Sequence, residues 1–283
     1  MVYPATGKPR PMVATPAAAM KKIMKLSERP AYAKMLIYGE PGVGKTYLAA
    51  GAPKPILLIT EFAVSDMTLF KAASDYGVDP DIYPIESVDD MDAAIEFLKS
   101  MKHEYQTVVL DSLTDLNSMV LSYMVDKGCA RNPNHDADQP EIGDWFRVER
   151  RMNEYITALR NLPLHVIVTA LEVSVEREQR ILPALQPKKF QYTAPGKFNA
   201  VFRLCKTEDL KGNVRRTLYT DINAGTVMGF STSKNPAGIL PRTIENPRIS
   251  EVIKMVEDGV KKMMTLPGAQ ADNDSEQAQA LKV

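Results

Sequence analysis

Residues 35–50 read MLIYGEPGVGKTYLAA, an apolar run followed by a glycine-rich turn and a helix-compatible segment. Within this stretch, Gly39 to Thr46 fits the phosphate-binding pattern GxxxxGK[ST], and the run before it has the composition of a buried strand. Glycines at positions 39, 42 and 44 let the backbone curl so that successive N–H groups point at a phosphate. The strand, loop and helix together predict an α/β protein with a nucleoside triphosphate site.

Further apolar runs follow this strand and alternate with helical patterns. The runs are PILLIT (55–60), IYPIES (82–87), TVVLD (107–111) and LHVIVTAL (164–171), and helices are predicted at about 46–50, 64–76, 89–101, 113–127 and 142–161. Continuous apolar runs of this length are typical of a parallel sheet that is covered on both faces. The alternation therefore predicts a doubly wound α/β core with a mainly parallel sheet flanked by helices.

The pattern changes after Pro183. The segments FNAVFRLCK (198–206) and RRTLYTDI (215–222) predict a C-terminal antiparallel hairpin that extends the sheet. A last helix is predicted at about 249–264. We therefore expect three regions: a basic arm and helix over 1–34, the α/β domain over 35–265, and a disordered tail over 266–283.

Composition and charge are those of an ordinary globular protein, with 45% hydrophobic and 25% charged residues. Since 35 basic residues balance 35 acidic ones, a polyanion would have to be held by a local patch. The region 1–34 is the strongly basic one, because only Glu28 opposes its cations. These cations are Lys8, Arg10, Lys21, Lys22, Lys25, Arg29 and Lys34. A solvated helix face and a contact with nucleic acid or a neighbouring subunit both fit this pattern.

The cysteines and the apolar runs indicate the cellular compartment in which the protein is expected. Cys129 and Cys205 match no metal or redox spacing, so reduced thiols are expected. No apolar run approaches the roughly 20 residues that span a bilayer, and the first residues lack the apolar run of a signal peptide. We therefore expect a cytoplasmic protein with no membrane partner. The three histidines at 103, 135 and 165 form no ligand cluster, and Trp145 is expected to be a packing anchor.

The expected ligands are ATP and Mg²⁺. Lys45 can bridge the β- and γ-phosphates while the Thr46 hydroxyl ligates Mg²⁺. Asp111 ends the apolar strand 107–111 and has the position of a metal-side acid. The complete predicted nucleotide set is Gly39, Glu40, Pro41, Gly42, Val43, Gly44, Lys45, Thr46 and Tyr47.

The residue that activates water is expected on a different strand. Many ATPases place a glutamate directly after the metal-side aspartate, but here that position is Ser112. Glu61 follows the strand 55–60, and parallel strands bring their C-terminal ends to one edge of the sheet. We therefore predict Glu61 as the general base, working with Lys45 in a Mg²⁺-dependent ATPase.

Three segments resemble the RecA-like recombinase core: GEPGVGKT, the strand end Thr60-Glu61, and VVLDSLTDL (108–116). The resemblance covers about 35–220 and is strongest to small bacteriophage ATPases that bind single-stranded DNA in annealing or recombination. It implies a RecA-like ATPase domain over 35–265, acting in the host cytoplasm. Where that family often has a glutamine sensor, this chain offers Thr169 and Glu172. The family works as rings or filaments, which implies Lys206 and Lys211 as lysines acting on the neighbouring subunit.

The resemblance also implies two DNA-binding loops. The first, 128–144, contains Arg131 but more acidic than basic residues, so a structural or subunit-contact role is at least as well supported. The second, 172–199, combines cations with aromatic rings, which is typical of a sequence-tolerant single-strand site. Its candidate residues are Arg177, Arg180, Lys188, Lys189, Phe190, Tyr192 and Lys197. A basic surface loop with buried aromatic rings is the alternative interpretation.

These observations favour a DNA-stimulated ATPase that binds single-stranded DNA and promotes annealing or strand exchange. Its expected partners are single-stranded DNA, further copies of itself and a single-strand DNA-binding protein. Two alternatives stay open. The first is an AAA+ type loader or remodelling ATPase. The serine at position 112, where a glutamate would be expected after Asp111, argues against it. The second is a nucleotide-gated binding module with negligible hydrolysis, which a Glu61→Gln substitution would barely affect.

Overall fold

A computed structural model describes residues 24–208, 212–222 and 230–264. Residues 24–31 belong to a separate N-terminal unit and contain one 3₁₀ turn, Leu26–Glu28. Most of the predicted basic helix, and the whole of the predicted tail, lie outside the described residues. The main unit begins at Tyr32 and holds all the elements discussed below.

In the described residues, the strands form one sheet whose main path runs β10-β8-β7-β1-β5-β4-β2-β3, with β6 pairing β5 and β9 pairing β6. The strands are β1 Lys34–Gly39, β2 Pro55–Ile59, β3 Asp81–Pro84, β4 Thr107–Asp111, β5 His165–Val175, β6 Arg180–Pro183, β7 Ala200–Glu208, β8 Val214–Tyr219, β9 Phe230–Ser231 and β10 Thr243–Glu245. The helices are α1 Lys45–Ala50, α2 Phe62–Tyr76, α3 Val88–Lys99, α4 Leu113–Arg131, α5 Ile142–Asn161, α6 Lys188–Thr193 and α7 Ile249–Met264.

The α/β class predicted from the sequence is confirmed. From β3 across to β7 every neighbouring pair on the main path is parallel, whereas β8 and β10 extend the β7 edge in antiparallel fashion. The arrangement is that of a P-loop NTPase fold. No helix in the described residues is long and apolar enough to cross a membrane.

Two apolar cores cover the two faces of the sheet. Leu36 and Val108 point into one core, while their chain neighbours Ile37 and Val109 point into the other. Every residue of β2 and β4 is buried, because helices pack on both faces. This explains why these strands are continuously apolar and do not alternate with polar residues. Each such side chain contributes about 1.5–3 kcal/mol through its burial.

The strand register gathers four strand ends at one edge of the sheet. Ile59 pairs with Asp111, and Gly39 pairs with Leu171. Leu110 pairs with Val168, which places Asp111 beside Thr169. The phosphate-binding loop begins at this same edge, so the sheet brings the predicted acids and the loop together.

The segment 172–199 is more regular than predicted. Strand β5 continues to Val175 and pairs in antiparallel fashion with β6, and α6 follows. Phe190 of α6 is fully buried in a core. Because β6 and α6 are only four and six residues long, their stability comes from tertiary pairing, and local periodicity does not reveal them.

Lys34 does not extend the basic arm but begins β1. Its Nζ donates hydrogen bonds to the carbonyl oxygens of Leu162 and Leu164, at 2.7 and 2.5 Å. Burial, with the nearby Arg160 charge, lowers the pKa of Lys34 to about 8. This cation therefore caps the end of α5, and its inclusion among cations available to a nucleic acid is wrong.

Candidate nucleotide-binding site

The loop between β1 and α1 depends on glycine at two positions for different reasons. A Cβ on Gly39 would lie 2.3 Å from the Leu204 carbonyl oxygen, so the strand next door excludes any side chain there. Gly44 has a φ of +100°, a conformation that other residues adopt only with strain. The backbone can therefore curl tightly before the helix begins at Lys45.

Lys45 is buried inside this loop. Its Nζ donates to the carbonyl oxygens of Gly39 at 3.0 Å and Glu40 at 2.8 Å. Burial lowers the pKa of Lys45, and the negative charge of Asp111 opposes this shift. The ammonium group is thus held by the loop's own carbonyls at the place where the motif binds phosphate.

Thr46 and Asp111 form the predicted metal side of the site. The Thr46 hydroxyl donates to Asp111 Oδ2 at 2.6 Å, and the Thr169 hydroxyl donates to Oδ1. The Asp111 carbonyl accepts from the Thr60 N–H at 2.9 Å, which links the ends of β2 and β4. A carboxylate beside a hydroxyl suits Mg²⁺, which uses one or two side chains together with phosphate oxygens and water. These residues therefore fit the ion that the motif implies.

A cleft of about 690 Å³ opens beside the loop. Its walls come from the loop, from the ends of β2 and β4, from the middle and later turns of α2, and from the start of α4, with Leu171 of β5 and Arg216 of β8. Glu61 lines this cleft together with Lys45, Thr46 and Asp111. The four predicted catalytic and metal-binding side chains therefore share one cavity.

Glu61 lies in a negative environment. The charge of Asp115 raises the pKa of Glu61, and partial burial and Asp111 raise it further. Asp115 lies in the first turn of α4, three residues after Ser112. The Ser112 hydroxyl caps this helix by accepting a hydrogen bond from the Asp115 N–H at 3.2 Å. Sequence reasoning missed Asp115 as a site residue, although Ser-x-x-Asp before an apolar helix is a known N-cap signature.

Arg216 was also missed. It lies on β8, and its Nε donates to the Val43 carbonyl at 3.0 Å, across 173 residues of sequence. Its guanidinium lies 5.8 Å from the centroid of the Tyr47 ring. No local motif announces this contact, because it depends on the antiparallel strands that extend the sheet.

The two sensor candidates have different surroundings. Thr169 is fully buried and bound to Asp111. Glu172 makes two hydrogen bonds of 2.8 Å to the guanidinium of Arg203. The carboxylate of Glu172 is therefore already neutralised by a buried partner.

The candidate DNA-binding residues are not equally placed. The prediction that Phe190 stacks on a base is wrong, since this ring has no exposed surface. Lys188 and Lys189 are exposed but pair with Glu178 at 3.7 Å and Glu149 at 3.1 Å. Tyr192 and Lys197 are partly buried.

Arg177 and Arg180 are the better-placed cations of this region. Both are exposed where the chain turns from β5 to β6, and neither forms an ion pair in the part of the chain that the structure describes. Of the proposed trans-acting lysines, Lys206 is exposed on β7 opposite Arg216. Lys211 lies outside the described residues, and both lysines stay predictions.

Comparison with known proteins gives one clear family match. Residues 31–228 match the family model AAA_24, described as an AAA domain. A search of curated proteins gives no significant match. Among solved structures, an uncharacterised Pyrococcus horikoshii protein crystallised with an unknown peptide is 10% identical, with a TM-score of 0.34, over 66% of this chain and 82% of that one. Such a low TM-score does not establish a shared fold.

Proposed function

Because this chain belongs to the AAA_24 family of AAA domains, we propose that its P-loop ATPase site works in the RecA-like manner, with Mg²⁺, and responds to single-stranded DNA. The P-loop ATPase assignment comes from the family together with the motif. The observation that carries the finer proposal is the position of Glu61 in the same cleft as Lys45, Thr46 and Asp111.

The proposed roles follow from chemistry and placement. Lys45 binds the phosphates, and Thr46 and Asp111 would hold Mg²⁺, which would supply positive charge to the phosphates. Glu61 accepts the proton of the attacking water, and its raised pKa makes it a stronger base than an ordinary glutamate. Ser112, which follows Asp111, has no group suited to this role at neutral pH.

The position of Glu61 supports the RecA-like type. In that type the base follows the second strand, and here β2 lies directly beside β4, with Ile59 opposite Asp111. Glu61 is two residues beyond this pair. The carboxylate therefore comes from the strand next to the metal-side acid and not from the residue that follows it.

A continuous strand supports the link to DNA. Strand β5 carries Thr169, which is bound to Asp111, and then Leu171, which lines the cleft. The same strand leads into the turn that exposes Arg177 and Arg180. Strand β5 therefore links these cations, which suit DNA phosphates, to the proposed metal side of the site. We infer that the biological role is annealing or strand exchange in phage recombination, by an oligomer that works with a single-strand DNA-binding protein.

The test is ATP turnover with Mg²⁺ in the presence and absence of single-stranded DNA, together with DNA retention at low salt. We expect DNA to raise turnover and both effects to weaken as salt increases. An Arg177→Ala/Arg180→Ala double variant should lose the stimulation and keep basal turnover. Arg150→Ala is the matched control, because Arg150 is an exposed cation outside the predicted DNA-binding set and pairs with Glu154 at 3.0 Å. Absence of both stimulation and retention would refute the DNA part of the proposal.

The family match favours a second candidate, an AAA-type remodelling ATPase that acts on another macromolecule. This candidate predicts substantial ATP turnover that single-stranded DNA leaves unchanged. The same experiment therefore distinguishes the two candidates. A binding module without hydrolysis would show nucleotide binding but negligible turnover.

A further inference from the structure

A second cavity, of about 440 Å³, lies next to the phosphate-binding cleft. Tyr47, Asp75 and Arg216 line both cavities, so the two adjoin at these side chains. Tyr47 directly follows Thr46, which places its ring one residue beyond the predicted metal ligand. If the phosphates of a nucleotide lie in the loop, its ribose and base can reach this cavity.

Two aromatic rings and two guanidinium groups line the second cavity. The rings of Tyr47 and Tyr76 lie 4.9 Å apart between centroids. The guanidinium of Arg216 lies 5.8 Å from the Tyr47 ring, and that of Arg248 lies 5.9 Å from the Tyr76 ring. Aromatic rings and guanidinium planes are the groups on which proteins stack nucleobases.

Arg216 is held in place at the junction of the two cavities. Its Nε donates to the Val43 carbonyl at 3.0 Å, and its backbone N–H donates to Asn246 Oδ1 at 3.1 Å. In return, the Asn246 N–H donates to the Arg216 carbonyl at 2.6 Å. In the described residues no further hydrogen bond or ion pair engages the Arg216 terminal nitrogens, which therefore have donors for a phosphate or ribose oxygen.

The single carboxylate that lines this cavity is already engaged. Asp75 accepts from the Tyr47 hydroxyl at 2.7 Å and pairs with Lys71 at 2.8 Å. Its negative charge is thus balanced by Lys71, and the cavity keeps the positive charges of Arg216 and Arg248. The net positive charge of the cavity favours the α-phosphate end of a nucleoside over a cationic ligand.

We propose that this cavity binds the nucleobase and ribose of the nucleotide, with a purine packed on the Tyr47, Tyr76 and Arg248 side chains and Arg216 contacting the α-phosphate end. The proposal rests on the proposed nucleotide-binding function. It assigns a binding role to residues on α2, on β8 and after β10 that no sequence motif marks. The volume is sufficient for a nucleoside, since small-molecule pockets span roughly 300–1,000 Å³.

The test compares two ligands by calorimetry in Mg²⁺ buffer: ATP, which has the base, and inorganic tripolyphosphate, which lacks it. The Arg248 side chain is exposed, and Arg248→Ala keeps the backbone carbonyl that accepts from the Glu251 and Val252 N–H groups at the start of α7, so folding should be retained. This variant should bind ATP about 3- to 10-fold more weakly and tripolyphosphate as the wild type does. Arg248→Lys keeps the charge but loses the flat guanidinium. Its affinity for ATP should therefore lie between those of Arg248→Ala and the wild type.

Arg242→Ala is the matched control, because Arg242 is exposed, lines neither cavity and pairs with Asp221 at 3.5 Å. It should bind both ligands as the wild type does. Unchanged ATP affinity in Arg248→Ala, with tripolyphosphate binding intact, would overturn the base-binding role and leave the ATPase proposal standing. If the wild type bound neither ligand, the proposed function itself would fail, and this inference with it.

Discussion

The hydroxyl of Thr46 donates a 2.6 Å hydrogen bond to Oδ2 of Asp111, across 65 residues of sequence. This bond joins the first turn of α1 to the end of β4. It places the hydroxyl and the carboxylate that we propose as Mg²⁺ ligands side by side. The same carboxylate accepts from Thr169, so both of its oxygens are positioned by neighbouring strands or helices.

Asp111→Asn should lower ATP turnover by about 100-fold or more, because the amide keeps the size of the side chain but loses its negative charge. Turnover measured over a range of Mg²⁺ concentrations should show that excess ion does not restore the rate. Full activity at saturating Mg²⁺ would mean that Asp111 is not the metal-side acid.

Glu61→Gln should reduce turnover by about 100-fold or more while ATP affinity changes little, because general-base catalysis contributes roughly 10²–10⁴. Single-turnover rates and calorimetric ATP affinities measure the two effects separately. Glu86→Gln is the control, since Glu86 is an exposed acid beyond the neighbouring strand β3 and lies outside the cleft. Equal rates in Glu61→Gln and wild type would exclude Glu61 as the base.

The pH dependence of turnover should depend on Asp115. A general base works in its deprotonated form, so turnover should rise with pH through the raised pKa of Glu61. Asp115 is the largest cause of that rise, and Asp115→Asn should therefore move the acidic limb of the pH–rate profile to lower pH. An acidic limb at the same pH in both proteins would show that Glu61 does not control it.

Glu172→Gln should lower the free energy of unfolding by about 3–5 kcal/mol, because it leaves the buried charge of Arg203 without its partner. Urea unfolding at constant pH measures the change. Glu245→Gln provides the comparison, since the Arg215–Glu245 pair is exposed and such pairs contribute about 0–1 kcal/mol. Similar losses in the two variants would contradict a special role for the buried pair.

His135 should make stability fall as pH rises. Its Nε2 lies 2.7 Å from Asp144 Oδ2, and this hydrogen bond raises the pKa of His135 above its ordinary value. Because the folded protein favours the protonated imidazole, the contribution is complete below the unfolded pKa of about 6.5 and is lost as pH rises through the folded pKa.

Urea unfolding of wild type and His135→Gln between pH 5.5 and about 8.5 tests this expectation. The difference in unfolding free energy should shrink as the imidazole loses its proton. Asp144, Glu141, the Asp136 carbonyl and Cys129 are the groups that face this ring, and Arg147 pairs with Asp144 from the other side at 2.9 Å. A difference that stays constant with pH would show that His135 acts through packing alone.

Much of the fold was predictable because its large elements have a strong local pattern. Helices α5 and α7 have the predicted bounds, 142–161 and 249–264, since an amphipathic helix of this length repeats its apolar spacing over several turns. The buried strands β1, β2 and β4 were recognisable as continuous apolar runs. Strands β6, β9 and β10 were missed, because two to four residues are too few to show a period.

The loop residues, the strand that ends in Asp111 and the absence of a following glutamate were determined by the sequence alone, because a phosphate-binding turn and a buried strand are local patterns. Only the tertiary structure decided that Asp115 faces Glu61, that Arg216 reaches the loop, that Arg203 neutralises Glu172 and that Phe190 is buried. The physical reason is that charge pairing and burial depend on which distant segments pack together, and packing is a property of the whole sheet and its helices.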